Sequence, residues 1–156
     1  MSDPATAYTL RPPLRSELSA LSELCLKSKA YWGYDADFMV ACVDELTLTE
    51  DDLQTDPMIV AEDETGVAGI AQLSLASDGC YLEKLFIDPS RMGEGFGRRL
   101  YDWALQTAAA KGASSMIIEA DPGAASFYER LGAKRVGEAS SGSVAGRTLP
   151  RFIHPL

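Results

Sequence analysis

The chain has 156 residues, of which 46% are hydrophobic and 24% charged, as is typical of one soluble globular domain with a substantial core. Its formal net charge of −9 argues against general nucleic-acid binding and against docking on an anionic membrane surface. Cys25, Cys42 and Cys80 are far apart and form no C-x-x-C pair, which disfavours a disulfide framework or a zinc site. The sequence shows neither a signal peptide nor an apolar run of roughly 18 residues, so we expect a cytoplasmic protein.

The N-terminal third is predicted to contain one short strand and two helices. We expect residues 1–7 to be disordered and residues 8–11 to form the strand. Apolar residues recur at helical spacing from residue 14 to about residue 29, and Asp35 is placed to cap a second helix that ends near Glu45. The acidic stretch 47–56 is interpreted as a surface loop.

In the middle of the chain, short apolar segments alternate with polar turns, as they do in an antiparallel sheet. Residues 58–62 and 67–75 are strand candidates around a turn that ends in Gly66, and a third strand is predicted at 81–87. A long amphipathic helix then runs to Lys111, and a buried strand is predicted at 115–120. Because a helix connects these last two strands, they should lie parallel or nearly so.

The C-terminal part continues the alternation of helix and strand. Asp121 and Pro122 are typical of a helix start and Gly132 of a helix end, while strands are predicted at 134–138 and 147–153. No internal repeat or domain linker interrupts these elements. The sequence therefore predicts one α/β domain with a mixed sheet over residues 1–156.

A loop with three alternating glycines precedes the long helix. Gly93, Gly95 and Gly97 let a ligand approach the backbone, and the first turn of the helix offers unpaired amides at the positive end of its dipole. The pattern predicts a site for a phosphate-bearing ligand. It is not a P-loop, because Arg98 and Arg99 follow the last glycine, and it is not a dinucleotide fingerprint, because G-x-G-x-G follows an antiparallel meander.

Two motifs in order resemble one family. DPSRMGEGFGRRL resembles the acyl-CoA-binding motif Q/R-x-x-G-x-G/A of the GNAT superfamily of N-acyltransferases, and the pattern D-x-x-A-x-x-F-Y-x-x-x-G-A at 121–133 resembles its second motif. The resemblance runs from Tyr8 onwards and is strongest over 82–137. It implies a central, mostly antiparallel sheet of about six or seven strands with about four helices. Met92 departs from the family pattern, since a thioether cannot supply the hydrogen bonds or charge of Gln or Arg, although Arg91 stands one place earlier.

The resemblance implies acetyl-CoA as cosubstrate, with no metal, and assigns residues to it. The main chain of the strand at 85–87 should pair with the pantetheine amides, which requires this strand to separate from its neighbour. The loop amides should hold the pyrophosphate. Asp121 either contacts the CoA arm or only caps its helix. The implied cofactor-binding residues are Leu85, Phe86, Ile87, Gly93, Glu94, Gly95, Phe96, Gly97, Arg98, Asp121 and Phe127.

The same resemblance assigns catalytic and acceptor-binding roles. Tyr128 is the implied general acid for the leaving thiolate, with core packing as the alternative interpretation. Glu83 is the implied base, acting directly or through water, with a solvated strand residue as the alternative and Glu119 as the second candidate. Trp32 and Tyr34 follow the first helix, where related folds build the acceptor pocket, although both are also plausible core anchors.

We therefore expect an N-acetyltransferase that transfers an acetyl group from acetyl-CoA to a primary amine by direct attack in a ternary complex. A homodimer is common in the family. The alternative is a non-catalytic acyl-CoA-binding or interaction module on the same fold, which Met92 keeps open. The acceptor stays open, whether a small amine, an amino acid, a polyamine, an antibiotic or a protein N-terminus.

Overall fold

The computed structural model describes residues 7–156, so the predicted N-terminal disorder concerns residues that lie almost entirely outside the described part. One sheet of seven strands carries α-helices on both faces. The strands are β1 (Tyr8–Arg11), β2 (Met58–Asp63), β3 (Gly66–Ala76), β4 (Gly79–Ile87), β5 (Ser115–Glu119), β6 (Lys134–Ser140) and β7 (Thr148–Pro155). The helices are α1 (Leu18–Ala30), α2 (Ala36–Leu46), α3 (Glu50–Thr55), α4 (Phe96–Ala110) and α5 (Ala125–Arg130).

The strand order in the sheet is β1-β2-β3-β4-β5-β7-β6. The neighbours β4 and β5 are parallel, and the other neighbouring pairs are antiparallel. The predicted meander of β2, β3 and β4 is confirmed. So is the parallel pair, because α4 carries the chain across the sheet between its two strands. Within residues 7–156, no helix is long and apolar enough to cross a bilayer.

Each face of the sheet buries its own apolar layer. On one face, Val60 and Ile70 pack with α1 and α2. On the other face, Leu73 packs with Ala104 of α4, and Ala71 packs with Leu100 of the same helix. Each fully buried aliphatic side chain contributes about 1.5–3 kcal/mol to folding. These layers hold β4 between two rigid supports.

The acidic stretch 47–56 contains α3, so its interpretation as a loop is wrong. The Thr49 side chain accepts a hydrogen bond from the Asp52 amide, and the Asp52 carboxylate accepts one from the Thr49 amide. Acidic residues in the first turn favour the positive end of the helix dipole. With six residues, the helix is too short to show helical periodicity.

The first helix starts later than its apolar spacing predicts. Residues 15–17 form a 3-10 turn, and the α-helix begins at Leu18. Leu14, predicted on the apolar face, is 58% exposed. The Asp35 cap of the second helix is confirmed, because its carboxylate accepts a hydrogen bond from the Phe38 amide at 2.8 Å.

The parallel strands β4 and β5 separate soon after they meet. Their pairing joins Cys80 to Met116 and Tyr81 to Ile117, and it extends no further along the described strands. Over residues 82–87, β4 keeps its pairing with β3 but has no partner on its other edge. The predicted separation of this strand from its neighbour is confirmed, and it leaves a V-shaped gap in the sheet.

A β-bulge interrupts the alternation of β4. Gln72 pairs with Lys84 and Leu73 pairs with Leu82, so Glu83 is the extra residue on β4. Leu82 and Leu85 both pack on the α4 side. Strict alternation predicts that Glu83 points away from Lys84, but the bulge directs both side chains to the face that carries α1 and α2.

Candidate active site

A cleft of about 600 Å³ occupies the gap between β4 and β5. Its walls come from α1, α2, β4, the glycine loop, the start of α4, the region 118–130 and the region 141–149. Of the predicted site residues, Glu94 and Tyr34 do not line the cleft, and the others do. The fold therefore brings together residues from widely separated parts of the chain.

The glycine loop forms the mouth of this cleft. Gly93 has φ 82° and Gly95, the N-cap of α4, has φ 90°, both in the left-handed region that favours glycine. Apart from the adjoining residues of the chain, no protein atom lies within 4 Å of where a Cβ would stand at either position. Since Gly95 has no side chain to cap α4, the amides of its first turn are available to an outside anion.

Gly97 is required for packing. A Cβ at this position would stand 3.2 Å from the ring of Phe127, closer than an ordinary contact. The glycine thus lets α5 lie against the start of α4. Phe127 reaches the cleft beside the loop because of this close approach.

Arg91 is held by two carboxylates. Its guanidinium bonds Asp63 and lies 3.1 Å from Glu94 Oε2, and its side chain is 13% exposed. Hydrogen bonds to Glu94 and Asp63 raise the pKa of Arg91. These contacts explain why Glu94 turns away from the cleft, and they give Arg91 a role other than replacing Met92. Arg98 is the exposed cation on the loop side of α4.

Tyr128 lies at the inner end of the cleft among aromatic rings. It is 7% exposed, and its ring centroid is 5.2 Å from that of Phe127 and 5.8 Å from that of Tyr101. Burial raises the pKa of the Tyr128 phenol, so it is protonated at neutral pH. A protonated phenol that lines the cleft can donate a hydrogen bond or a proton there.

The two candidate bases differ in their partners. The Glu83 carboxylate accepts a hydrogen bond from the Ser74 hydroxyl at 2.8 Å, and its side chain is exposed to the cleft. Glu119 accepts a hydrogen bond from Arg151 at 3.3 Å, which compensates its charge. Glu83 therefore has the more available carboxylate.

Asp121 is the centre of a polar network. Its Oδ2 atom accepts hydrogen bonds from Lys29 at 2.8 Å and from the Tyr34 hydroxyl at 2.7 Å, and it lies 3.6 Å from Arg147. Its Oδ1 atom accepts a hydrogen bond from the Gly123 amide at 2.9 Å, so Asp121 caps the 3-10 turn at 122–124, and the α-helix itself starts later than predicted, at Ala125. Burial opposes ionisation of Asp121, but the bonds from Lys29 and Tyr34 outweigh it and lower its pKa.

Tyr34 supports this network from behind the cleft. Its hydroxyl accepts a hydrogen bond from Arg147 at 2.7 Å, and burial together with the Asp121 contact raises the pKa of Tyr34 to about 12. Its ring stacks on Phe38 with centroids 3.9 Å apart. The sequence shows no signal for the partners Lys29 and Arg147, because both lie far from Asp121 along the chain.

Trp32 forms part of the cleft wall. Its ring covers Gly123, where a Cβ would stand 2.8 Å from the indole, and it is 41% exposed.

Cys25, Cys42 and Cys80 are all buried and free. Among the residues from 7 to 156, no group of three or more His, Cys, Asp or Glu side chains is arranged to hold a metal ion.

A parallel strand pair that opens beside an uncapped, glycine-rich helix start is the arrangement that the resemblance to acyltransferases using CoA thioesters implies. The model of the acetyltransferase (GNAT) family matches residues 27–133. The chain belongs to this family, as its two motifs predict.

Solved structures with the same fold span nearly the whole chain. A GCN5-related N-acetyltransferase from Rhodopseudomonas palustris has a TM-score of 0.80 and 19% identity, with 97% of each chain covered. PaiA N-acetyltransferase from Thermoplasma acidophilum, in complex with coenzyme A, has a TM-score of 0.76 and 16% identity, covering 97% of this chain and 100% of its own. The ribosomal-protein-S18-alanine N-acetyltransferase from Escherichia coli has a TM-score of 0.69 and 16% identity, with coverages of 96% and 94%. The comparison with curated proteins finds no significant match.

Proposed function

We propose that this protein is an N-acetyltransferase that transfers the acetyl group of acetyl-CoA to a primary amine while both substrates are bound. The observation that carries the proposal is the gap between β4 and β5, which leaves the edge of residues 82–87 without a strand partner. The glycine loop and Tyr128 line the same cleft as this free edge. A binding strand, an anion site and a proton donor therefore face one space.

The residues present fit acetyl-CoA. The free edge of β4 at Leu85, Phe86 and Ile87 offers backbone groups to the amides of the pantetheine arm, as an added strand would require. The open, left-handed glycines and the uncapped start of α4 suit a pyrophosphate over residues 93–98. When bound, acetyl-CoA supplies an activated acetyl thioester.

The chain's own side chains then handle protons. Glu83, directly or through a water molecule, takes a proton from the acceptor ammonium, because only a neutral amine is nucleophilic. As the new N–C bond forms and the C–S bond breaks, Tyr128 donates its phenolic proton to the leaving sulfur. The acetylated nitrogen then loses its extra proton, and the phenolate of Tyr128 regains one, by exchange with solvent. Trp32 shapes the acceptor side of the cleft, and contact of Asp121 with the CoA arm stays a prediction.

The first test is binding followed by turnover. Acetyl-CoA at about a hundred times its Kd should stabilise the protein by about 2.7 kcal/mol, seen as a thermal shift that ATP-Mg does not reproduce. Release of free thiol should follow with one class in a panel of small amines, amino acids, polyamines and peptides. Binding without turnover on the panel would favour the non-catalytic module. No stabilisation by acetyl-CoA would contradict both functions.

The cytoplasmic location and the homodimer stay predictions from the sequence.

A further inference from the structure

Lys84 is a buried cation without a carboxylate partner in the described part of the chain. It is 8% exposed, yet no Asp or Glu oxygen of residues 7–156 lies within 4.0 Å of its ammonium. The other buried polar side chains are hydrogen-bonded, Ser22 to Leu18 and Gln72 to Asp56. Most of the Lys84 side chain is removed from water while its charge has no carboxylate partner in residues 7–156, so Lys84 is a candidate to bind an anion from outside the protein.

Lys84 lines the cleft beside Glu83, the proposed base, and the part of the cleft lined by Glu45, Glu83 and Lys84 is called the acceptor half below. The bulge at Glu83 directs both side chains to the face of α1 and α2, and both residues line the cleft. In residues 7–156, two side-chain polar atoms have neither contact with solvent nor a hydrogen-bond partner, namely Gln72 Oε1 and Arg99 Nη1. The Lys84 ammonium is not one of them. The nitrogen therefore keeps some contact with solvent, and Lys84 is one of the residues that line the cleft.

Of the other cations that line the cleft, Lys29, Arg91 and Arg147 have carboxylate partners, whereas Arg98 at the start of α4 and Arg130 at the end of α5 have none among residues 7–156. Asp121 holds Lys29 and Arg147. Arg151 compensates Glu119, and Glu94 and Asp63 hold Arg91. Two acidic groups of the acceptor half are bonded to serine hydroxyls, Glu83 to Ser74 and Glu45 to Ser143. The available charges in this half are thus one buried cation beside carboxylates.

We propose that the acceptor is an amine with a carboxylate close to its amino group, an amino acid or a compound of that type, and that Lys84 binds the carboxylate. This inference rests on the proposed N-acetyltransferase function. Glu83 faces the amino group of the same molecule. Because Glu83 and Lys84 are adjacent and share a face, the two groups that they receive must be close together, as they are in an amino acid. An ion pair in this cleft gives Lys84 the partner that the protein does not supply.

The test compares each amino acid with the amine left by its decarboxylation. Suitable pairs are L-leucine with 3-methylbutylamine and L-lysine with cadaverine, measured as kcat/KM for thiol release. The wild type should prefer one or more amino acids over their amines by about tenfold to a hundredfold, the usual effect of a charged hydrogen-bonded contact. Lys84→Met should abolish the preference by lowering kcat/KM for the amino acid alone, whereas Lys84→Arg should keep most of it.

Lys134→Met is the control, because Lys134 is exposed on β6 and does not line the cleft. It should leave the preference unchanged. If Lys84→Met does not fold, amino-acid methyl esters with the wild type replace it, since the ester removes the negative charge and should lower kcat/KM as the decarboxylated amines do. Equal activity on acids, esters and amines would overturn the proposal.

Different results would contradict the proposed N-acetyltransferase function and the proposed role of Lys84. A protein that binds acetyl-CoA and acetylates amines without regard to a carboxylate keeps the proposed function and loses the role of Lys84. A protein that acetyl-CoA does not stabilise loses both. If acetyl-CoA binds without turnover, thermal shifts of the CoA-loaded protein with the same pairs decide, and stabilisation by amino acids that is lost in Lys84→Met supports the acceptor class.

Discussion

At the scale of single residues, surroundings separate the proposed acid from the proposed base. Tyr128 is 7% exposed and surrounded by aromatic rings, and burial raises its pKa. Glu83 is the exposed residue of a bulge on β4, between buried Leu82 and Lys84, with a hydroxyl as its partner. Opposite environments for two titratable groups in one cleft are a common way to assign the proton donor and the proton acceptor.

Tyr128→Phe should lower kcat by about a hundredfold, the usual contribution of a positioned acid, while the Kd for acetyl-CoA changes by less than about twofold. Burial raises the pKa of the wild-type phenol above its ordinary value of 10.0. At any pH below 10.0, loss of the Tyr128 proton should therefore not decrease kcat. Tyr31→Phe is the control, because Tyr31 is 56% exposed and outside the cleft lining. Unchanged turnover in Tyr128→Phe would remove Tyr128 from the acid role.

Glu83→Gln should lower kcat by about tenfold to a hundredfold, because the amide cannot take a proton from the acceptor. Glu119→Gln serves as the matched control, since its carboxylate already pairs with Arg151. The measurement is the pH profile of kcat for both variants with one acceptor. A larger loss in Glu119→Gln would make that residue the base, and equal small effects would assign the proton transfer to water alone.

At the scale of elements, the glycine loop and α4 form one functional unit. Left-handed Gly95 ends the loop and begins the helix, and Gly97 admits Phe127 of α5 against the same turn. The helix is anchored by buried residues along its length, including Leu100 and Ala108. A rigid helix thus presents its free amides at a fixed place at the mouth of the cleft.

Gly95→Glu should abolish acetyl-CoA binding, because the new side chain fills the loop and repels phosphate. Gly112→Glu is a close control, since Gly112 follows α4 with φ 86°, near the φ of 90° at Gly95, and also has no protein atom within 4 Å of a Cβ. Both variants should lose about 1–2 kcal/mol of stability to backbone strain. Isothermal titration should show binding lost only in Gly95→Glu. Retained binding there would mean that acetyl-CoA lies elsewhere.

At the scale of the whole molecule, Asp121 connects distant parts of the chain around the cleft. Its partners Lys29 and Tyr34 lie 92 and 87 positions away, at and beyond the end of α1. Arg147 reaches it from the segment before β7. These contacts fix the end of α1 and the segment before β7 to the turn after β5.

Asp121→Asn should lower the free energy of unfolding at pH 7 by about 1–3 kcal/mol, because Lys29 and Arg147 lose the charge that they share. The lowered pKa of Asp121 contributes stability above the ordinary value of 3.8 and loses it as the pH falls through the folded-state value. Denaturant titrations from pH 5 to pH 2 should show this acid-dependent loss in the wild type, and a smaller loss in the variant. Asp102→Asn, at an exposed position on α4, should behave as the wild type.

The sequence by itself determined the features that neighbouring residues control. Alternation and turn glycines predict the meander, the helix between β4 and β5 predicts their parallel pairing, and two spaced motifs predict the family. Nearly all the site residues that the resemblance named line the cleft, because the glycine loop and the turn after β5 are local structures.

Tertiary structure decided the features that depend on contacts across the chain. The bulge at Glu83 arises from the register of β4 on β3, and it places the side chains of Glu83 and Lys84 on the same face of the sheet. The Asp121 network depends on side chains brought together from three separate segments. The spacing of polar and apolar residues along the chain does not indicate such contacts. This spacing reflects local structure, whereas the contacts that stabilise these features join residues far apart in the sequence.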